Sequence, residues 1–112
     1  VTKCMRERKA AMDERSDAFI ALPGGYGTME EVLEIITLKQ LRYHDKPIVI
    51  LNINNFYDKL LEQFETAIDQ QFAKTVCNEL YFVTEEISAA LQYIDAYESP
   101  VFAEKWLTDV EK

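Results

Sequence analysis

Apolar and polar positions along the chain follow two alternating rhythms. Between Lys3 and Ser16, Cys4, Met5, Met12 and several alanines punctuate charged residues at roughly helical spacing, with no Gly or Pro, which predicts a helix. Asp17-Ala-Phe-Ile-Ala-Leu22 is a short, nearly continuous apolar run closed by Pro23, the pattern of a strand buried on both faces. Met29, Val32, Leu33 and Ile36 then fall at i, i+3, i+4 and i+7, so a second helix is expected, with Ile35, Leu38 and Leu41 widening its apolar surface. Pro47-Ile-Val-Ile-Leu-Asn52 repeats the strand pattern, and residues Phe56 to Phe72 carry Leu60, Leu61, Phe64, Ala67 and Ile68 at helical spacing. Leu80-Tyr-Phe-Val83 predicts a third strand, and Thr84 is suited to cap a helix running from Glu85 to Tyr97. After Ser99-Pro100, the four-residue spacing of Phe102, Trp106 and Val110 predicts a terminal helix laid on a neighbour. Strands alternating with helices predict a single α/β domain over residues 1–112, with a parallel sheet in a three-layer arrangement.

Composition narrows the class of function. A chain of 112 residues has room for one core. No apolar run approaches the roughly 20 residues that span a bilayer, so no membrane association is expected. The net charge of −8 opposes long-range attraction to nucleic acid or anionic lipid, and neither is expected as a partner. Against that acidic background, Lys3, Arg6, Arg8, Lys9 and Arg15 make the first fifteen residues basic. Cys4 and Cys77 lie far apart and the chain holds 1 His, so the spacing offers neither a metal site nor a disulfide framework; two reduced thiols suit a cytoplasmic protein. The first residue is Val1 and a charged helix follows, which reads as a fragment or a processed product.

All 3 glycines sit in Pro23-Gly24-Gly25-Tyr26-Gly27-Thr28, between a predicted strand and a predicted helix. Glycine permits positive φ and lets backbone N–H groups approach a ligand, and at a helix N-terminus those donors suit phosphate. Such turns lie where open parallel sheets bind ligands. The plain alternative is a tight turn that binds nothing. The loop is neither the dinucleotide fingerprint nor a P-loop, since no third spaced Gly and no Lys-Ser/Thr follow Gly27. Thr28-Met-Glu-Glu31 fits a capping box, so Glu31 is either a helix cap or a carboxylate at the mouth of a phosphate site. The first helix should run antiparallel to the strand after it, which lets Arg8 or Lys9 approach the glycine loop while Arg15 stays remote. The bland reading of that charge run is a solvated face.

Met5-Arg-Glu-Arg8-Lys9 together with Pro23-Gly-Gly-Tyr-Gly27-Thr28-Met-Glu-Glu31 resembles the paired M-x-x-R-K and P-G-G-x-G-T-x-x-E signatures of the LOG phosphoribohydrolases, proteins often labelled lysine decarboxylases. The similarity continues through residues 16–22, His44-Asp-Lys-Pro47, Leu51-Asn52 and Leu80-Tyr81, covering roughly residues 4–95. The resemblance implies a Rossmann-like fold and hydrolysis of the N-glycosidic bond of an adenine-type nucleoside 5'-monophosphate, a cytokinin ribotide or AMP, to free base and ribose 5-phosphate. It implies Arg8 and Glu31 as the catalytic pair, Lys9 as an assisting cation, and Gly24, Gly25, Gly27 and Thr28 as the phosphate loop, with no metal and no cofactor. It implies a homodimer with sites near the subunit interface, which the wide apolar surface of the Met29–Leu41 helix would suit. His44 matches a family position, but Asp45 and Lys46 beside it read as a turn, and no chemistry is assigned to it. The family begins with a strand and another glycine-rich loop upstream of M-x-x-R-K, to which nothing here corresponds, so the fold is expected to be partial. The competing reading is a non-catalytic nucleotide or molybdenum-cofactor binder of the same fold, whose members share the glycine loop; Arg8-Lys9 favours the hydrolase. Decarboxylation would need a Schiff-base lysine for pyridoxal phosphate, and the sequence gives no lysine such a setting.

Overall fold

A computed structural model describes residues 5–98. Its elements are α1 (Met5–Arg15), β1 (Phe19–Ala21), α2 (Tyr26–Gln40), β2 (Ile48–Leu51), α3 (Asp58–Asp69), β3 (Phe82–Thr84) and α4 (Ile87–Ala96), with 3₁₀ turns at Ile53–Asn55 and Thr75–Glu79. Each strand and helix expected in this range is present, most of them shortened by a few residues at their ends, while α2 starts earlier than expected. The helix expected around Phe102 to Val110 lies outside the described residues. Among the described residues no helix is long and apolar enough to cross a membrane.

The three strands form one parallel sheet in the order β1-β2-β3. Phe19, Ile20 and Ala21 sit opposite Ile48, Val49 and Ile50, while Val49, Ile50 and Leu51 sit opposite Phe82, Val83 and Thr84. The central strand is buried at every position, as its unbroken apolar run requires. Side chains alternate across a strand, so the two faces can be separated. Ala21 and Ile50 pack with Val32 of α2 and with Tyr57, and Ile36, Leu60, Leu61 and Phe64 close around them, which places α2 and α3 on that face. On the other face the Phe82 ring stacks on Tyr93 of α4 at 4.5 Å between centroids, and Ala90 of α4 is buried. The result is the Rossmann-like three-layer arrangement, with α1 tied to α2 by Lys9. Among the described residues β1 has a strand partner on one side alone.

Two local expectations are corrected. The inward face of α2 is Val32, Ile35 and Lys39, while Leu33 is 41% exposed, so the buried stripe is rotated from the one the apolar spacing marked. A lysine can occupy that stripe because its amine finds partners: Lys39 Nζ donates to the Leu80 carbonyl at 3.0 Å and lies 4.8 Å from the centroid of the Tyr97 ring. Burial lowers its pKa to about 8, with Asp45 opposing the shift. Thr84 does not cap α4. It is the last residue of β3, its hydroxyl accepts the Glu86 N–H at 3.2 Å, and the helix begins one turn of chain later, at Ile87.

Candidate active site

The glycine loop joins β1 to α2. Helix α2 starts at Tyr26 with Gly25 at the cap position, earlier than expected, and no side chain caps it. Thr28 is therefore its third helical residue, and the capping box read from Thr28 and Glu31 does not form. The first-turn N–H groups of Tyr26, Gly27 and Thr28 have no i−4 carbonyl inside the helix, so this end is an uncapped set of donors at the positive pole of the dipole.

The reason for the glycines also differs from expectation, since none adopts positive φ. At Gly24 the constraint is close approach: an added Cβ would lie 2.9 Å from the Thr28 Cβ and closer still to its hydroxyl. At Gly25 and Gly27 an added Cβ would meet nothing within 4 Å. The loop is anchored from below by Tyr57, whose buried hydroxyl donates to the Leu22 carbonyl at 2.5 Å.

A cleft of about 680 Å³ opens where α1, β1 and α2 meet. Pro23, Gly27, Thr28 and Glu31 line it together with Asp13, and the rest of its wall is largely apolar. Of the residues singled out by sequence, Gly27, Thr28 and Glu31 thus face one cavity, whereas Gly24, Gly25, Arg8 and Lys9 are not part of its lining. Arg8 is exposed and has no ion pair among the described residues. Lys9 reaches α2, as the antiparallel geometry allows, but it meets carboxylates there: Nζ lies 2.7 Å from Glu30, 3.0 Å from Glu34 and 3.8 Å from Glu31. Those hydrogen bonds to Glu30 and Glu34 hold its pKa well above the ordinary lysine value.

Glu31 occupies the opposite electrostatic situation. Its pKa is raised, first by burial and next by the negative charge of Asp13, with Lys9 acting in the other direction. Asp13, Glu31 and Glu34 bring one carboxylate oxygen each within 4.8 Å of one another. Spacing along the chain did not reveal this carboxylate group, because Asp13 joins it from a different helix and its placement is a product of tertiary packing. Behind the site, the His44-to-Pro47 turn is structural. His44 Nε2 lies 3.0 Å from the Ile35 carbonyl, Nδ1 accepts the Lys46 N–H at 3.1 Å, and Lys46 Nζ donates to the Asp13 carbonyl at 2.6 Å. Burial lowers the His44 pKa, in keeping with a neutral ring whose Nδ1 is an acceptor.

Comparison with known proteins places these features in a family. The family model described as possible lysine decarboxylase matches residues 1–94. The probable cytokinin riboside 5'-monophosphate phosphoribohydrolase LOGL1 of Oryza sativa subsp. japonica is 47% identical over 93 residues, which cover 83% of this chain and 42% of that protein. The cytokinin riboside 5'-monophosphate phosphoribohydrolase LOG2 of Arabidopsis thaliana is 44% identical over 93 residues, 83% of this chain and 44% of that protein. LOG3 of Arabidopsis thaliana, of the same description, is 50% identical over 76 residues, 68% of this chain and 35% of that protein. The chain therefore spans less than half the length of these relatives. The decarboxylase in the family model's description would need pyridoxal phosphate on a lysine amine. The two lysines with perturbed pKa do not fit that group: Lys9 is held as an ammonium by Glu30 and Glu34, and Lys39 is buried against Leu80 and Tyr97 outside the cleft lining. The chain belongs to the family described as possible lysine decarboxylase, represented by the LOG phosphoribohydrolases.

Proposed function

We propose that this chain carries the glycine loop and the acidic residue of a nucleoside 5'-monophosphate phosphoribohydrolase acting on a cytokinin ribotide or AMP. One observation supports this most: Glu31, with a raised pKa, lines the same cleft as Gly27 and Thr28 at the uncapped start of α2. In this reading the 5'-phosphate sits at the first-turn N–H groups, with Gly24 and Gly25 shaping the approach. Glu31 faces the ribose, because a carboxylate beside phosphate would repel it. As the C1'–N bond breaks, its electron pair goes to the base nitrogen, which takes up a proton. Glu31 stabilises the oxocarbenium-like carbon and orients the water whose oxygen bonds to C1' and whose released proton balances the one the base takes up. Arg8 neutralises phosphate or the departing base. Lys9 assists by holding Glu30 and Glu34. The reaction as written uses no cofactor. We place the protein in the cytoplasm and read it as a homodimer, since Tyr26, Leu33 and Leu41 leave apolar surface exposed on α2 and its C-cap.

The test is adenine release by the full-length protein from AMP and from adenosine. AMP is expected to be turned over and adenosine poorly; equal rates would remove the phosphate role of residues 24–28. Tight nucleotide binding without turnover would establish the binding-protein reading instead. Glu31→Gln is expected to lower kcat by about 10²–10⁴-fold with little change in melting temperature, since no cap bond is lost. Near-normal turnover in that variant would end its catalytic assignment.

A further inference from the structure

Three carboxylates crowd one ammonium where α1 meets α2, and a fourth stands beside two of them. Glu30 and Glu34 take the close positions on Lys9, at 2.7 and 3.0 Å, and leave Glu31 at 3.8 Å. Asp13 lies four residues beyond Lys9, on the same face of α1. It has no ion pair among the described residues, and its carboxylate comes within 4.8 Å of those of Glu31 and Glu34. Both Asp13 and Glu31 line the cleft. Lys46 fixes the turn of α1 that bears Asp13, but it spends its amine on the carbonyls of Asp13 and Glu14 and leaves the Asp13 carboxylate unpaired by it. The strand on the third side of the cleft presents no titratable group, from Ala18 to Leu22. Negative charge at this spot therefore exceeds the positive charge available to balance it.

We infer that Asp13 is a positioning residue for Glu31: the two carboxyl groups hold one proton between them at the cleft, and Asp13 thereby decides when Glu31 meets the substrate as an anion. This rests on the role proposed above for Glu31. A like charge beside a carboxylate disfavours its ionisation, so two carboxylates sharing a site give up their protons in separate steps. The raised pKa of Glu31, to which both burial and Asp13 contribute, accords with this. When the shared proton is on Asp13, that group can donate it as a hydrogen bond and orient the Glu31 carboxylate toward the sugar. When the pair is fully protonated, the anion needed beside an oxocarbenium-like carbon is missing and turnover stops.

Asp13→Asn keeps a hydrogen-bond donor at the position and removes its charge. In the full-length protein, the acid limb of kcat/KM for AMP is expected to move down by about one pH unit, with KM changed little, while Asp13→Glu keeps the limb near its original position. A merely structural Asp13 would leave the limb in place, and that result overturns the inference. A ¹³C NMR titration of the Glu31 carboxyl without substrate reads the same coupling without relying on activity. Its midpoint should fall in Asp13→Asn, and an unmoved midpoint overturns the pairing. A midpoint that falls while Glu31→Gln retains full turnover upholds the pair and overturns the catalytic role of Glu31, which separates the two failures. Loss of the Glu31 titration on addition of millimolar Mg²⁺, and its return with chelator, would make the carboxylate group a cation site and overturn the shared proton.

Discussion

Two turns at the same edge of the sheet carry the chain from a strand into a helix, and they are built on opposite principles. The β2–α3 turn consumes its own polar groups. Asn52, itself buried, accepts the Tyr57 N–H on Oδ1 at 2.6 Å, donates from Nδ2 to Asp58 at 2.8 Å, and donates its backbone N–H to the Thr84 carbonyl at 2.7 Å. The tight geometry is taken up by Asn54 and Asn55 at φ 53° and 61°, a region asparagine tolerates better than most residues. The β1–α2 turn has no such internal use for its donors. It holds glycines, none at positive φ, and leaves the start of α2 uncapped beside a cleft. Glycine spent on conformation and glycine spent on access are different things, and of these two turns the β2–α3 turn puts asparagine at positive φ while the β1–α2 turn keeps Gly25 and Gly27 open.

Substitutions at the two turns should therefore fail in different ways. Asn52→Ala removes the acceptor of a buried N–H and is expected to cost about 1–3 kcal/mol in stability, read by urea unfolding, while turnover well below the melting temperature stays within a few-fold of the parent. A turnover loss that exceeds the stability loss would place the β2–α3 turn in the site. Gly27→Ala should do the reverse. An alanine there meets nothing within 4 Å and lies in a helix, so stability should rise by up to about 1 kcal/mol, while the added methyl obstructs approach to the helix end and raises KM for AMP. A more stable variant with unchanged KM would show that the open glycine serves no ligand.

The smallest effect separates the cleft from the far end of α2. Lys39 has a folded-state pKa of about 8 against 10.5 for the free side chain, so between those values the unfolded chain binds more protons and stability rises with pH. Buried tyrosines act in the opposite sense at higher pH. Tyr97 is pushed up to about 12, and Tyr57, Tyr81 and Tyr93 are also raised, so above about pH 10 the unfolded chain sheds its tyrosine protons first and stability falls. Melting temperatures from pH 7 to 11 should pass through a maximum near pH 10, and Lys39→Met should remove the rising limb. A rising limb that survives in Lys39→Met would assign it to another group.

How legible each feature was depended on how far its cause lay along the chain. The period of apolar positions located the strands and helices, because burial of β2 or of the α3 stripe is a property of consecutive residues. The glycine loop and its place between β1 and α2 were visible for the same reason. Local capping rules failed where the backbone placed the helix start elsewhere: the capping box at Thr28 and Glu31 lost to an earlier start at Tyr26, and Thr84 stayed in its strand while α4 began later, at Ile87. What could not be read depended on distant partners. Lys39 is buried because Leu80 and Tyr97 meet its amine, and Asp13 matters because α1 packs on α2. The basic run was a middle case, since the reach of Lys9 toward α2 followed from helix geometry but the carboxylates that receive it did not.

The one-sided pairing of β1 has a consequence for how the protein behaves in a tube. Phe19 donates its N–H to Pro47 on the β2 side, so alternation along the strand turns the peptide groups of Ile20 outward, where no strand pairs with them among the described residues. Beside them, Ile20 is 40% and Leu22 55% exposed. An apolar edge that no strand covers among the described residues is a template for further strands. A protein with this edge open should self-associate as its concentration rises, and the Ile20 amide should exchange with deuterium well before those of Val49 and Ile50 in the centre of the sheet.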